Sequence, residues 1–159
     1  MSNNRDERYT SAGRALAQAR IRNRPTRKGG CDCPIIVEGR KDRLALESIG
    51  FTGKIEQVNR GWDQSRFVAF IFEKYGILNK VDQGSSVILL MDWDRTGGRL
   101  QRKIGERLEA FGMKVDHETR MELVRSMKPE GKTVEGLKSH AEILRPYIDQ
   151  VDNAGFEEE

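Results

Sequence analysis

Two short apolar runs, each closing on acidic residues and glycine, constrain this chain more than anything else in it. The first is Pro34-Ile35-Ile36-Val37-Glu38-Gly39-Arg40-Lys41-Asp42. The second is Val87-Ile88-Leu89-Leu90-Met91-Asp92-Trp93-Asp94-Arg95-Thr96-Gly97-Gly98. An aliphatic run with no polar break reads as a buried strand. After each run comes a glycine-containing turn that opens a helix. Each strand therefore delivers carboxylates to its C-terminal tip, the edge at which open parallel α/β sheets bind their ligands.

The rest of the chain repeats the alternation. Arg40–Ile49 reads as a helix ended by Gly50, and Ile55–Val58 as a strand. Asp63 is placed to cap a helix running to Tyr75, with Phe67, Phe70, Ile71 and Phe72 facing inward and Gly76 at its end. In Arg99–Phe111 the residues Leu100, Ile104, Leu108 and Phe111 make one apolar stripe. Met113–Val115 is a weak strand and Glu118–Met127 a helix. Val134, Leu137, Ala141, Leu144, Ile148 and Val151 keep helical spacing, which Pro146 must kink or split. Short apolar strands between amphipathic helices predict an α/β fold, compact and Rossmann-like, with about four mostly parallel strands flanked by helices.

Charge divides the chain further. Its net charge is +3, yet residues 1–30 carry Arg5, Arg8, Arg14, Arg20, Arg22, Arg24, Arg27 and Lys28 against only Asp6 and Glu7. That gives a basic arm over residues 1–30, disordered over 1–13 and helical over 14–22, with a Pro- and Gly-punctuated linker after it. A folded domain over 31–128 and a helical extension with an acidic tail over 129–159 complete the expected division. A charged fraction of 33%, no bilayer-length apolar run and no signal-like N-terminus point to a cytoplasmic protein that engages no membrane. Cys31 and Cys33 lack spaced histidine partners and read as reduced thiols.

Carboxylates meeting at one sheet edge repel one another, and a hard divalent cation such as Mg²⁺ relieves the repulsion. Glu38, Asp92 and Asp94 are the candidate ligands, with Mn²⁺ as a substitute. Arg40, Lys41, Arg95 and Arg99 flank them and suit phosphate oxygens. The arginine-rich residues 14–28 read as a further contact to a nucleic-acid backbone, RNA or DNA.

Val37-Glu38-Gly39-x-x-Asp42, succeeded some fifty residues later by Asp92-x-Asp94-x-x-Gly97, resembles the Toprim domain over about residues 33–125. That domain occurs in bacterial-type primases, topoisomerases, the ribonuclease that matures 5S ribosomal RNA, certain nucleases and the recombination mediator RecR. The chain looks most like small stand-alone archaeal Toprim proteins and the ribonuclease branch. The resemblance implies Mg²⁺-dependent phosphoryl transfer on nucleic acid, with endonucleolytic cleavage of structured RNA or DNA foremost. Glu38 would be the general acid or base and an additional metal ligand, and Asp92 and Asp94 the Mg²⁺ ligands. Gly39, Gly97 and Gly98 would support the turns, and Asp42 matches an acidic position of many members. Glu135 matches, more weakly, a later acidic segment of the ribonuclease-like branch. Thr96 departs from the acidic residue topoisomerases place there, and Tyr9, Tyr75 and Tyr147 lie in no cleavage-domain context. A primase-like nucleotidyltransferase and a non-catalytic binding module of the RecR type are the alternatives.

Overall fold

The computed structural model describes residues 3–153. In chain order it contains α1 (Asn3–Asn23), a 3-10 turn (Thr26–Lys28), β1 (Ile35–Val37), α2 (Arg40–Ser48), β2 (Ile55–Gln57), α3 (Gln64–Tyr75) and β3 (Val87–Leu89). Next come α4 (Arg95–Ala110), β4 (Val115–Asp116), α5 (Glu118–Met127), a second 3-10 turn (Glu135–His140) and α6 (Ala141–Val151). All four strands are parallel, in the order β2-β1-β3-β4. Ile35 stands opposite Ile55 on one side and Ile88 on the other, and Val87 opposite Val115. This is the α/β fold with a helix-flanked parallel sheet that the sequence predicts.

Side chains of a strand alternate between its two faces, and the two faces here carry separate cores. Ile35, Val37, Ile88 and Leu90 join Leu46 of α2, Leu16 of α1, Leu123 of α5 and Leu144 of α6. Ile36, Val87, Leu89 and Met91 join Phe67 and Ile71 of α3 and Ile104 and Leu108 of α4. The central strands are therefore apolar at every position because both faces are covered.

The N-terminal segment is the main correction. From Asn3 onward it is helix, not disordered chain. Tyr9, Ala12, Leu16, Ala17 and Ala19 are buried in the same core as Ile35 and Ile148, so arm, domain and extension share one interior. Five of its cations are already paired. Arg5 and Arg8 bind Glu130, Arg20 binds Asp149 and Asp152, Arg22 binds Asp82, and Arg24 binds Asp152. Buried Arg20 also donates to the Ile49 carbonyl, at 2.9 Å. The basic residues of 1–30 thus mainly fasten a helix to the body. The Glu157-Glu158-Glu159 tail lies outside the described residues.

Smaller differences have local causes. Helix α4 begins at Arg95 rather than Arg99, because Asp94 caps it by accepting from the Gly97 N–H at 2.7 Å. Phe111 is 46% exposed rather than in the apolar stripe; it lies just past the helix and stacks on Phe72 at 4.7 Å. The weak fourth strand forms two residues later, at Val115–Asp116. The C-terminal helical pattern divides at His140, where a 3-10 turn passes into α6, and Pro146 lies within α6. Among the described residues, no helix is long and apolar enough to cross a membrane.

Candidate metal and nucleic-acid site

Because β1 and β3 are adjacent and parallel, the residues just past them leave the sheet at the same edge. Glu38 comes directly after β1, and Asp92 and Asp94 come after β3 and the buried Leu90 and Met91. Glu38 feels the charge of Asp42 and Asp94, and Asp92 that of Asp42, Asp94 and Glu38. Burial foremost, then Asp42 and Asp94, raises Glu38 above the ordinary carboxylate range. Burial pushes Asp92 up to about 6; Asp42, Asp94 and Glu38 add to the rise, and the Val134 N–H opposes it. Asp42 is also raised, by burial first.

Each of three acids also has a structural task. Asp42 accepts from the Gly39 N–H at 3.0 Å and so closes the first turn of α2. Asp94 caps α4. Asp92 accepts from the Val134 N–H at 2.7 Å. These bonds fix the carboxylates while leaving lone pairs open.

Segment 131–135 wraps the tip of β3. The Trp93 N–H donates to the Lys132 carbonyl at 2.8 Å, and its indole Nε1 to the Gly131 carbonyl at 2.7 Å. Trp93, between the two aspartates in sequence, is buried in the core. This wrap brings Glu135 to the site, where its charge raises Asp42 and its backbone helps hold the Asp42 carboxylate.

The glycines divide sharply. A Cβ on Gly97 would lie 2.0 Å from the Asp92 carbonyl oxygen, so only glycine lets α4 start this close to the β3 tip. Gly39 is extended, with φ −149°, and has nothing nearer than Asn59 Nδ2 at 3.9 Å from its would-be Cβ; the expected need for glycine in that turn is absent. Gly98 has room beside Arg120, at 3.4 Å.

Two residues at this edge escape sequence reasoning. Arg120 of α5 donates to the Asp92 carbonyl from Nε at 3.1 Å and Nη2 at 3.0 Å. Gln101 of α4, 5% exposed, accepts from the Met91 N–H at 3.1 Å and donates to the Leu89 carbonyl at 2.8 Å. It thereby clamps the chain where β3 ends. His117 Nδ1 lies 2.9 Å from Gln101 Nε2. No motif marks these residues, because the fold alone brings them here.

Arg40 and Lys41 open α2, Arg95 opens α4, and Arg99 lies one turn on; all four are exposed. None forms an ion pair among the described residues. Cations at helix N-termini oppose the helix dipole, so this placement costs stability unless an anion answers it. Among the described residues, no three His, Cys, Asp or Glu side chains are grouped closely enough to enclose a metal ion. The donors near the edge are nonetheless all carboxylate oxygens, the set that suits Mg²⁺ rather than a softer metal.

No family model matches the chain. It is 37% identical over 103 residues to a UPF0292 protein of Thermococcus onnurineus, spanning 65% of this chain and 69% of that one. It belongs to the UPF0292 family. Within that family, the protein of Methanosarcina barkeri is 36% identical over 111 residues, 70% of this chain and 71% of its own. That of Methanosarcina acetivorans is 33% identical over 123 residues, 75% and 78% of the two chains. Among solved structures, a protein from Aquifex aeolicus matches with TM-score 0.52 at 23% identity, covering 76% of this UPF0292 chain and 93% of that one. That likeness supports the compact α/β fold.

Proposed function

We propose that this UPF0292 protein is a Toprim-type, Mg²⁺-dependent nuclease that hydrolyses phosphodiester bonds in structured RNA or DNA. The observation that carries the reading is the placement of Glu38, Asp42, Asp92 and Asp94 at one sheet edge, where the charges of their neighbours help to raise Glu38 and Asp92. Arg40, Lys41, Arg95 and Arg99, in no ion pair among the described residues, stand at the adjoining helix starts.

Glu38, Asp92 and Asp94 would hold Mg²⁺, which when bound supplies positive charge to the phosphate in the transition state. Glu38, raised by burial, is suited to take a proton from the attacking water and pass it on. The four cations hold flanking phosphates and orient the strand. The Val134 N–H and the Asp94 cap keep the aspartates from swinging away as charge changes.

The test is cleavage of labelled structured RNAs and DNAs in Mg²⁺, Mn²⁺ or EDTA by wild type, Glu38→Gln and Asp92→Asn. The expected result is metal-dependent product from wild type and a loss of roughly 100-fold or more in both variants, the scale of a lost acid–base group. Equal cleavage by all three would overturn the reading. Salt-sensitive binding with no product in any metal would replace it with a non-catalytic binding module.

A further inference from the structure

An aromatic surface on α3 and the loop before it takes no part in holding a metal. The loop from β2 to α3 starts at this edge, where the Asn59 N–H donates to the Glu38 carbonyl at 2.9 Å. Trp62, three residues on, is half-buried. Phe70 meets its ring edge-on, with centroids 5.3 Å apart and planes at 75°. The Arg60 guanidinium lies 5.1 Å from the Trp62 centroid. It is held there by Glu56, at 2.9 Å, and the Gln57 carbonyl, at 3.0 Å. The Arg66 guanidinium lies 4.3 Å from the same centroid, exposed and in no ion pair among the described residues. Trp62 opens a cleft of about 530 Å³ that continues past Phe70 and Phe72 to Phe111.

A residue just before a helix cap often packs on the first helical turns. Leucine serves that purpose, and neither a fixed indole nor a guanidinium over it is needed. A π-face beside exposed cations is the arrangement that receives a nucleobase and its phosphate. We infer that Trp62 is a stacking platform for an unpaired base of single-stranded RNA or DNA. The base displaces Arg66 from the indole, and the freed guanidinium takes the adjoining phosphate. Arg60, held by Glu56 and the Gln57 carbonyl, keeps the ring in place. This deepens the nuclease reading and rests on it: the strand would run from Trp62 to the acidic edge, so the substrate is unpaired next to the scissile bond.

The test uses the full chain in EDTA, where no metal-dependent cleavage can contribute. The protein has two tryptophans, and Trp93 is buried with its indole bonded to Gly131. Fluorescence quenching therefore reports Trp62. Short oligothymidylate and oligouridylate are titrated, with a duplex of equal length as control, into wild type and Arg66→Ala. Fluorescence anisotropy of labelled strands reads the affinities of these and of Trp62→Phe and Trp62→Leu. Both single strands should quench wild type, the preferred sugar showing as the tighter of the two. Trp62→Leu should bind about tenfold more weakly, the scale of one stacked base, and Trp62→Phe within a few-fold of wild type. Unchanged affinity in Trp62→Leu with an intact circular-dichroism spectrum, or a duplex bound as tightly as the single strands, would overturn the platform. Either result leaves the cleavage assay of Glu38→Gln untouched. A platform that binds in a protein that cuts nothing would instead overturn the nuclease reading alone.

Discussion

At Asp92 stability and function pull in opposite directions. Burial and three neighbouring carboxyls push it up to about 6, against an ordinary value of about 3.9 in the unfolded chain. Between those values the folded protein holds a proton that the unfolded chain has released, so acid favours the native state here. That contribution is complete below about pH 4 and is lost as the pH rises through about 6. Asn at this position would still accept from the Val134 N–H and would carry no charge. In EDTA, Asp92→Asn should therefore be more stable than wild type at about pH 8, by on the order of 1 kcal/mol after allowing for solvent screening. The gain should vanish near about pH 4 in thermal melts. A variant that melts like wild type at both pH values would show that the surroundings of Asp92 do not raise it. The placement of Glu38 after β1 and of Asp92 and Asp94 after β3 was legible in the sequence, because each of the two strands ends on carboxylates followed by glycine. Arg120 and Gln101 were not, since their roles arise only from the docking of α5 and α4 onto the β3 tip.

Among the elements, α1 and the start of α4 carry the sharpest consequences. Leu16 is fully buried where α1 meets the sheet. Leu16→Ala should cost about 2–5 kcal/mol in denaturant unfolding, the range for a large-to-small change in a core. A cost near zero would return α1 to the status of a loose arm. The sequence showed a helix only over 14–22, and its docking into the core went unread because its buried stripe is built largely from Ala12, Ala15 and Ala19, which hydropathy barely registers, while its arginines dominate the count. In α4, Gly97→Ala forces a methyl against the Asp92 carbonyl at 2.0 Å. The helix start must move, and Asp92 and Asp94 with it. Cleavage should fall about tenfold or more, with a stability loss of about 1–3 kcal/mol measured in parallel. Gly98→Ala, with its open surroundings, is the control and should change both far less. The strands were legible to within a residue or two, because aliphatic runs bounded by glycine and charge have few other readings.

Across the whole molecule, sequence periodicity predicted layers but not which distant segments would share them. Parallel strands and right-handed crossovers leave few arrangements, and the neighbouring of β1 and β3 is among them. The wrap of segment 131–135 over Asp92 could not be read, because Glu135 lies 43 positions beyond Asp92 in the sequence, with two helices between. The same long reach appears where Arg20 meets Asp152, 132 residues apart. During synthesis at about 5–20 residues per second, the first helix must wait on the order of ten seconds for that partner to appear. Until then Tyr9 and Leu16 lack the surface that α6 supplies. The sheet can assemble earlier around β1 and β3, yet this core is sealed only when α6 emerges, which makes that interval its period of greatest exposure to chaperones and proteases.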